Sequence, residues 1–461
     1  MEKKKRFKMP HAYVIIFIMT VITAILANII PAGTFDRVED ASGNSVVVAD
    51  SFHHVDKIGC SIFDMFKSFQ IGFEDSAQII FFIIFAYAFV YVLLKNGTFD
   101  ALVGSVLRKV GNRIELIIPV CMILFGLLGS TMGMFEETYG LIPVFISIAM
   151  ALGYDAIVGG SVIYLGVAVG FAAATINPFT IGIAQEVAGV KMFSGLGYRI
   201  LCFVVFMGIS IWYVWRYARR IQKDPTKSYL YGEKIETLEC ASREEMMKIK
   251  MTTTHKLSCL LFVFTIGMLL YGTIKLGWYI DEIATLFIIM TIVSGLVSRF
   301  TPSEIADIFI EASKEMMYGA LLVGISRSIA VIMENAQIID TVVYWLATML
   351  QHFRGMASAM GMLFAQNIIN FFIPSGAGQA LITMPILAPV GEMVGVSRQV
   401  SVLAYQFGDG FSNIFWPTSV FMMCGIMRLP INKWYRFVTP LFLIIFAASI
   451  VLLGAAVVIG Y

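Results

Sequence analysis

Long apolar runs with almost no charge alternate with short polar breaks along the whole chain, and their lengths suit helices crossing about 30 Å of hydrocarbon. The first run covers roughly His11 to Ile30 and leads into a polar, acidic loop from Asp36 to Asp56. An amphipathic piece, Ser61 to Gly72, precedes a second span at about Ile79 to Leu94. Lys95, Arg108, Lys109 and Arg113 then punctuate a segment that reads as a surface helix. From Ile114 to Met150 the chain is apolar except at Glu115 and at the break GSTMGMFEET, so it forms either one irregular span or two half-length helices around a tip. The Gly-rich break suits the second arrangement. Non-helical backbone at membrane depth needs protein or water around it, and a re-entrant hairpin supplies that.

Downstream, Ala156 to Val190 reads as a crossing interrupted at Thr175-Ile176-Asn177-Pro178, and Leu201 to Trp215 returns. Two spans at about Leu257 to Tyr271 and Ile283 to Ser298 follow a hydrophilic segment. The same programme then recurs: amphipathic TPSEIADIFIEASK, a span near Met316 to Met333, a surface helix from about Asp340 to Phe353, a polar tip PSGAGQ, and a broken crossing around Asn413. A basic loop, Arg428 to Arg436, and a last span near Phe437 to Ile459 close the chain.

The recurrence has a register. Phe371 to Pro385, FFIPSGAGQALITMP, lies over Gly129 to Pro143, GSTMGMFEETYGLIP, with Gly133 on Ser375, Glu137 on Gln379 and Pro143 on Pro385. Asn96 and Asp100 match Asn335 and Asp340, Gly153 matches Gly395, Gly170-Phe171 matches Gly410-Phe411, and Pro178 matches Pro417. A chance run of glycines does not keep register over so long a stretch. The first copy begins outside and the second inside, so the copies are inverted, the construction of many secondary transporters. This predicts an all-α polytopic membrane fold with inverted repeats, two re-entrant helical hairpins and two broken helices. Residues 1–215 hold the first repeat and first span, 216–256 a cytoplasmic linker, and 257–461 the second repeat with its preceding span.

Composition agrees with that class. Of 461 residues 58% are hydrophobic and 14% charged, and the mean hydropathy of +0.82 exceeds what a soluble core needs. A net charge of +2 gives no reason to expect a nucleic-acid partner. Six scattered cysteines (Cys60, Cys121, Cys202, Cys240, Cys259, Cys424) contain no CxxC pair and read as packing residues rather than disulfides or a zinc site. The leader KKKRFK resembles a signal n-region, but the apolar run behind it is long and ends in IIPAGTFDR without a small-residue cleavage pattern, so it reads as the first span. By the positive-inside rule that leader is cytoplasmic. So is the linker, which carries Arg216, Arg219, Arg220, Lys223, Lys227, Lys234, Arg243, Lys248, Lys250 and Lys256, and the C-terminus falls outside.

Charge within a span costs at least about 2.5–3.5 kcal/mol on insertion scales, which makes intramembrane ionisable groups functional candidates. Four stand out: Glu136, Glu137, Arg327 and Asp409. The glutamates could bind an ammonium or guanidinium group, coordinate a cation or carry a proton, or one could cap the second hairpin helix. Arg327 could grip a substrate carboxylate through a bidentate fork, or pair internally with Asp409 or a glutamate. Asp409, flanked by glycines in QFGDGFSN, is a candidate cation or ammonium ligand. Asn177 and Asn413 mark matching breaks next to Pro178 and Pro417, where freed backbone groups could hold ions or a carboxylate. Asn370, Ser375 and Gln379 complete the second tip, and Ser130, Thr131 and Thr138 serve the first. Substrate binding is therefore expected at Glu136, Glu137, Asn177, Arg327, Ser375, Gln379, Asp409 and Asn413, and ion coupling at Ser130, Thr131, Thr138, Asn370 and Asp409.

IPAGTFDR after the first span, GMFEET in the first tip, and FFIPSGAGQALITMPILAP followed by QFGDGFSN together resemble the YfcC family, a branch of the DcuC-like anaerobic carriers within the ion transporter superfamily. The resemblance covers nearly the whole chain. It implies an elevator-type carrier of organic acids or amino acids, working as a homodimer. Well-known members of that superfamily carry Ser-Asn-Thr sodium motifs at both tips, whereas this chain has Gly129-Ser130-Thr131 and Ser375-Gly376-Ala377-Gly378. Coupling to sodium or to protons therefore stays open, and no other cofactor is expected.

Three acids against one arginine suit an amino acid better than a dicarboxylate. The expected function is exchange or uptake of an amino acid such as arginine, ornithine or citrulline, with a C4-dicarboxylate carrier or a channel as alternatives. Five histidines in or beside loops form no triad or metal spacing, so an enzyme is not expected.

Overall fold

The computed structural model describes residues 11–39, 45–110, 116–233, 248–278 and 280–461. The basic leader, Arg113, Glu115, and Lys234, Cys240 and Arg243 of the connecting segment lie outside them. Eighteen α-helices account for most of the described chain. Six of them are long and apolar enough to cross a membrane.

The first, α1 (Ala12–Ile29), leads into the polar loop, where the chain is not helical. Strands β1 (Gly33–Thr34) and β4 (His53–His54) pair antiparallel, as do β2 (Arg37–Glu39) and β3 (Ser45–Val47). Four short strands thus qualify the all-α expectation. Next come α2 (Ile62–Asp75), opened by a reciprocal cap between Ser61 and Asp64, α3 (Ala77–Lys95) and α4 (Thr98–Val110). The stretch around GSTMGMFEET is two helices, α5 (Ile117–Met132) and α6 (Ile142–Ala151), separated by a 3₁₀ turn over Glu136–Leu141. Then α7 (Ala156–Ala172) breaks at 173–177 and gives way to a π turn, Pro178–Gly182, and the short α8 (Ile183–Val187). Helix α9 (Leu196–Lys223) runs past Trp215 because Arg216 and Arg219 stack over Trp212 and Trp215 one turn back.

In the second half, α10 (Thr253–Tyr271) and α11 (Ile280–Val297) precede α12 (Pro302–Asn335). The expected amphipathic piece and span here are one helix of 34 residues, about 51 Å long. Thr301 and Glu304 cap its start reciprocally, and EASKEMMYGALL offers no breaker. After it come α13 (Ile339–Leu350), α14 (Met356–Phe372), α15 (Gly376–Met393), α16 (Arg398–Ser412), α17 (Pro417–Ile426) and α18 (Ile431–Ile459).

Small residues let the helices approach closely, the usual basis of packing between apolar helices in lipid. The contact that matters most for the site is α2 against α12. A Cβ built on Gly72 would lie 2.6 Å from the Gly324 carbonyl oxygen and 2.9 Å from the Ser328 amide, so only glycine fits. That crossing sets the position of the last turn of α2.

The strand-bearing loop is tied down by one carboxylate. Asp340, in the first turn of α13 and nearly buried, takes Arg37 Nη2 on both oxygens at 2.8 and 3.0 Å and the Phe35 amide at 3.1 Å. Asp340→Ala strands the Phe35 amide and releases Arg37, at a cost of about 1–3 kcal/mol. Proteolysis within 36–52 should then run clearly faster than in the wild type while the helices stay intact. Unchanged cleavage would show that the loop is held by other contacts.

Candidate functional site

A cavity of about 370 Å³ lies where the two polar breaks, α5 to α6 and α14 to α15, meet the junction of α2 and α3 and the middle of α12. That volume falls in the range of small-molecule sites. Four charged residues line it: Asp75, Glu136, Glu137 and Arg327. Of the other residues singled out from sequence, Ser375 and Asn413 also line it.

At the first tip α5 ends because Gly133 turns left-handed, with φ of 70°. A Cβ there would also strike Asn177 Oδ1 at 2.5 Å. The two glutamates that follow have different roles. Glu137 Oε2 turns back and accepts the Phe135 amide at 2.8 Å, so it fixes the tip's own backbone. Glu136 borders the cavity without an ion pair among the described residues. Thr138 Oγ1 donates to the Phe135 carbonyl at 2.8 Å and closes the same turn.

Ser130 and Thr131 do not reach the cavity. Ser130 Oγ donates to the Ala173 carbonyl and accepts the Thr175 amide, both at 3.1 Å, stitching α5 to the break after α7. Thr131 Oγ1 donates to the Leu127 carbonyl at 2.7 Å within its own helix. Asn177 caps the π turn by accepting the Phe179 amide at 2.9 Å, behind Gly133 rather than in the cavity. The buried Arg199, which the sequence reading passed over, donates to the Thr175 carbonyl at 3.0 and 3.2 Å and satisfies the broken backbone. Its only sequence signal is one charge at the head of an apolar run.

At the second tip Ser375 caps α15 by accepting the Gly378 amide at 3.3 Å. This leaves the Gly376 and Ala377 amides at the open end of the helix, and both residues border the cavity. Thr418 and Ser419, in the first turn of α17, face it as well. Asn413 Oδ1 accepts the Ser419 hydroxyl at 3.3 Å, and its carbonyl accepts the Tyr164 hydroxyl at 2.8 Å. Two half-helix N-termini thus converge on one wall, where negative charge is favoured. Thr180 and Thr418 add buried hydroxyls without partners among the described residues.

Gln379 points away. Its Nε2 donates to the Gln366 side chain at 2.7 Å and to the Gln366 carbonyl at 2.9 Å, a clasp between α14 and α15. Asp409 and Asn370 sit one layer behind Gly376. Asn370 Nδ2 donates to Asp409 Oδ1 at 2.6 Å, and a Cβ on Gly376 would come within 3.2 Å of Asp409 Oδ2. Both residues are fully buried, and Asp409 Oδ2 and Asn370 Oδ1 have no hydrogen-bond partner among the described residues.

Arg327 is paired, and not with Asp409. Its Nε lies 3.4 Å from Asp75 Oδ2 and its Nη2 lies 3.1 Å from Glu334 Oε1. Asp75 and Glu334 were not singled out from sequence. Asp75 lies past the expected amphipathic piece, Ser61 to Gly72, in the last turn of α2, and the junction with α3 carries it to the cavity. The lining carries three acids and one arginine, but the third acid is Asp75 and not the expected Asp409.

Comparison with known proteins supplies the lineage. Residues 9–458 match the family model described as DcuC, C4-dicarboxylate anaerobic carrier. A protein of Escherichia coli (strain K12) named "Putative basic amino acid antiporter YfcC" is 31% identical over 500 residues, covering 99% of this chain and 98% of that one. An uncharacterized protein of Haemophilus influenzae is 27% identical over 489 residues, covering 95% of each. Among solved structures, the YdaH transporter of Alcanivorax borkumensis aligns over 98% of this chain and 99% of that one, at 16% identity and a TM-score of 0.43. MtrF of Neisseria gonorrhoeae aligns over 98% and 96%, at 18% identity and a TM-score of 0.42. Likenesses that low assign nothing to this chain.

Proposed function

Because this chain belongs to the DcuC family of anaerobic carriers and is a multi-pass membrane transporter, we propose that it exchanges amino acids, basic ones above all, across the cytoplasmic membrane. One observation carries the reading: the cavity is lined by three carboxylates against a single arginine that is already paired. A dicarboxylate entering such a site would meet repulsion from Asp75, Glu136 and Glu137 with no free cation among the described lining residues to offset it. An amino acid such as arginine or ornithine fits both ends. Its carboxylate goes to the open Gly376 and Ala377 amides of α15 beside the first turn of α17, and its cationic groups go to Glu136 and Asp75. The name of the Escherichia coli relative points the same way.

The mechanism we favour is an elevator built on inverted repeats. Its support is the recurrence of element order, since α5, break, α6, α7, break, α8 and α9 are echoed by α14, break, α15, α16, break, α17 and α18. The two tips are then re-entrant hairpins that carry the solute past α2, α3, α11 and α12. The N-terminus is cytoplasmic, the C-terminus external, and the carrier works as a homodimer in the lipid bilayer. Coupling to sodium or protons is assigned to Asp409 and Asn370, whose two unpartnered buried oxygens suit a small cation or a proton.

Thermal unfolding of the purified protein tests substrate and ion together. A ligand at 100 times its Kd stabilises the folded state by about 2.7 kcal/mol. Arginine, lysine or ornithine should raise the melting temperature and succinate should not, with sodium present or absent. Stabilisation by succinate with none by any amino acid would overturn the reading in favour of a C4-dicarboxylate carrier. Saturable counterflow in proteoliposomes would separate a carrier from a channel.

A further inference from the structure

The functional reading above uses the charge of Asp75 but gives its pairing with Arg327, and that of Arg327 with Glu334, no role. Asp75 is the last residue of α2 and stands just before α3, and the bond its carboxylate shows is to Arg327 rather than to a helix-end amide. Its one ion-pair partner among the described residues is Arg327. The contact is loose. At 3.4 Å it is well beyond the 2.7–2.9 Å of a tight charge-assisted bond, and about a third of each side chain is open to solvent.

Arg327 has a second seat. Glu334, two turns along α12, holds Nη2 at 3.1 Å and borders a separate cavity of about 230 Å³ next to the strand-bearing loop. Ile373 lines both cavities, so Arg327 and Glu334 stand at the boundary between them. The position of Asp75 is set by the backbone contact of Gly72 with α12, and what can move in this group is the arginine side chain. Beside it Ser326, 8% exposed, lines the central cavity with a hydroxyl that has no partner among the described residues, as does Thr180 at 1% across the site. Unpartnered buried hydroxyls aimed into the same space point to a polar ligand.

We propose that Arg327 is a tethered competitor for the solute's cationic group, holding Asp75 until that group displaces it onto Glu334, which makes Asp75 a specificity-determining residue. The inference rests on the reading of the site as one for basic amino acids and gives Arg327 the opposite role from a carboxylate clamp. The side-chain ammonium or guanidinium of the solute takes Asp75 while its α-ammonium stays with Glu136, and Arg327 keeps one carboxylate throughout. A neutral side chain cannot displace it. Selection for charge thus comes from a competition that only a second cation wins.

Direct binding of L-arginine and of its neutral analogue L-citrulline to purified wild type and variants tests this by sign. Arg327→Gln removes the competitor and should tighten arginine binding about tenfold, equivalent to about 1.4 kcal/mol. Arg327→Lys keeps a competing cation and should stay within about threefold of wild type, whereas Asp75→Asn should weaken arginine about tenfold or more and leave citrulline within about twofold. Weaker arginine binding by Arg327→Gln would identify the residue as a carboxylate ligand and overturn the inference alone. Asp75→Asn with unchanged arginine affinity would overturn it equally, even if Arg327→Gln fails to fold. A wild-type protein that binds no basic amino acid would overturn the proposed function and this inference with it.

Discussion

Glu136→Gln loses most basic amino acid exchange, while Glu137→Gln retains it and loses some thermal stability. The two residues are adjacent and chemically identical, and only their surroundings separate them. Glu136 faces the cavity with its charge unpaired among the described residues, so the amide variant removes a full charge from the solute's counter-ion set. A hydrogen bond to a charged group is worth about 1.5–3 kcal/mol, or roughly 10- to 150-fold in affinity. Glu137 already spends one oxygen on the Phe135 amide at 2.8 Å, and glutamine can still accept that bond, so its loss should stay near 0.5–1.5 kcal/mol. Initial rates and KM for arginine exchange in proteoliposomes, read beside melting temperatures, check both halves. If both variants transport like the wild type, the carboxylates do not bind the solute.

Gly72→Val should abolish a stable, monodisperse protein. The first added carbon lands 2.6 Å from the Gly324 carbonyl oxygen and 2.9 Å from the Ser328 amide, both backbone atoms that no rotamer change can move aside. Overpacking of this kind typically costs about 1–3 kcal/mol and occasionally more, and α2 would have to leave α12 along its last turn. That turn carries Asp75, so surviving protein should also bind arginine more weakly. Gly197→Ala is the control, because a Cβ there meets nothing within 4 Å. Size-exclusion profiles and melting curves should separate the two by a wide margin. Equal behaviour would mean that α2 and α12 are less tightly joined than their backbones indicate.

Much of the architecture was legible because lipid-grade hydrophobicity is a one-dimensional signal. The run Ile79 to Leu94 appears as Ala77–Lys95, and the break GSTMGMFEET appears as the turn between α5 and α6. Apolar length, and glycine or proline at a break, act on the chain locally, so the sequence displays them directly. The division of 301–335 into two elements failed for a related reason. A change from amphipathic to apolar character marks a change of surroundings, and the helix itself continues unless a residue breaks it.

The candidate site was legible only in part. Glu136, Glu137, Arg327, Ser375 and Asn413 drew notice as polar groups in apolar surroundings, and they border one cavity. Gln379 drew notice for the same reason but closes a clasp with Gln366, since a buried amide needs partners whether or not a solute is near. Residue order alone marks this chain as a membrane protein, shows where its helices break, and shows which polar residues interrupt its apolar runs. Tertiary packing alone sets Glu137 on the Phe135 amide while Glu136 has no ion pair among the described residues, brings Asp75 to the site, and gives Arg327 to Asp75 and Glu334. Hydropathy is summed along the chain, but the partner of a charge is fixed by distances between segments far apart in sequence, and Asp75 and Arg327 meet because α2 can lie against α12 at Gly72.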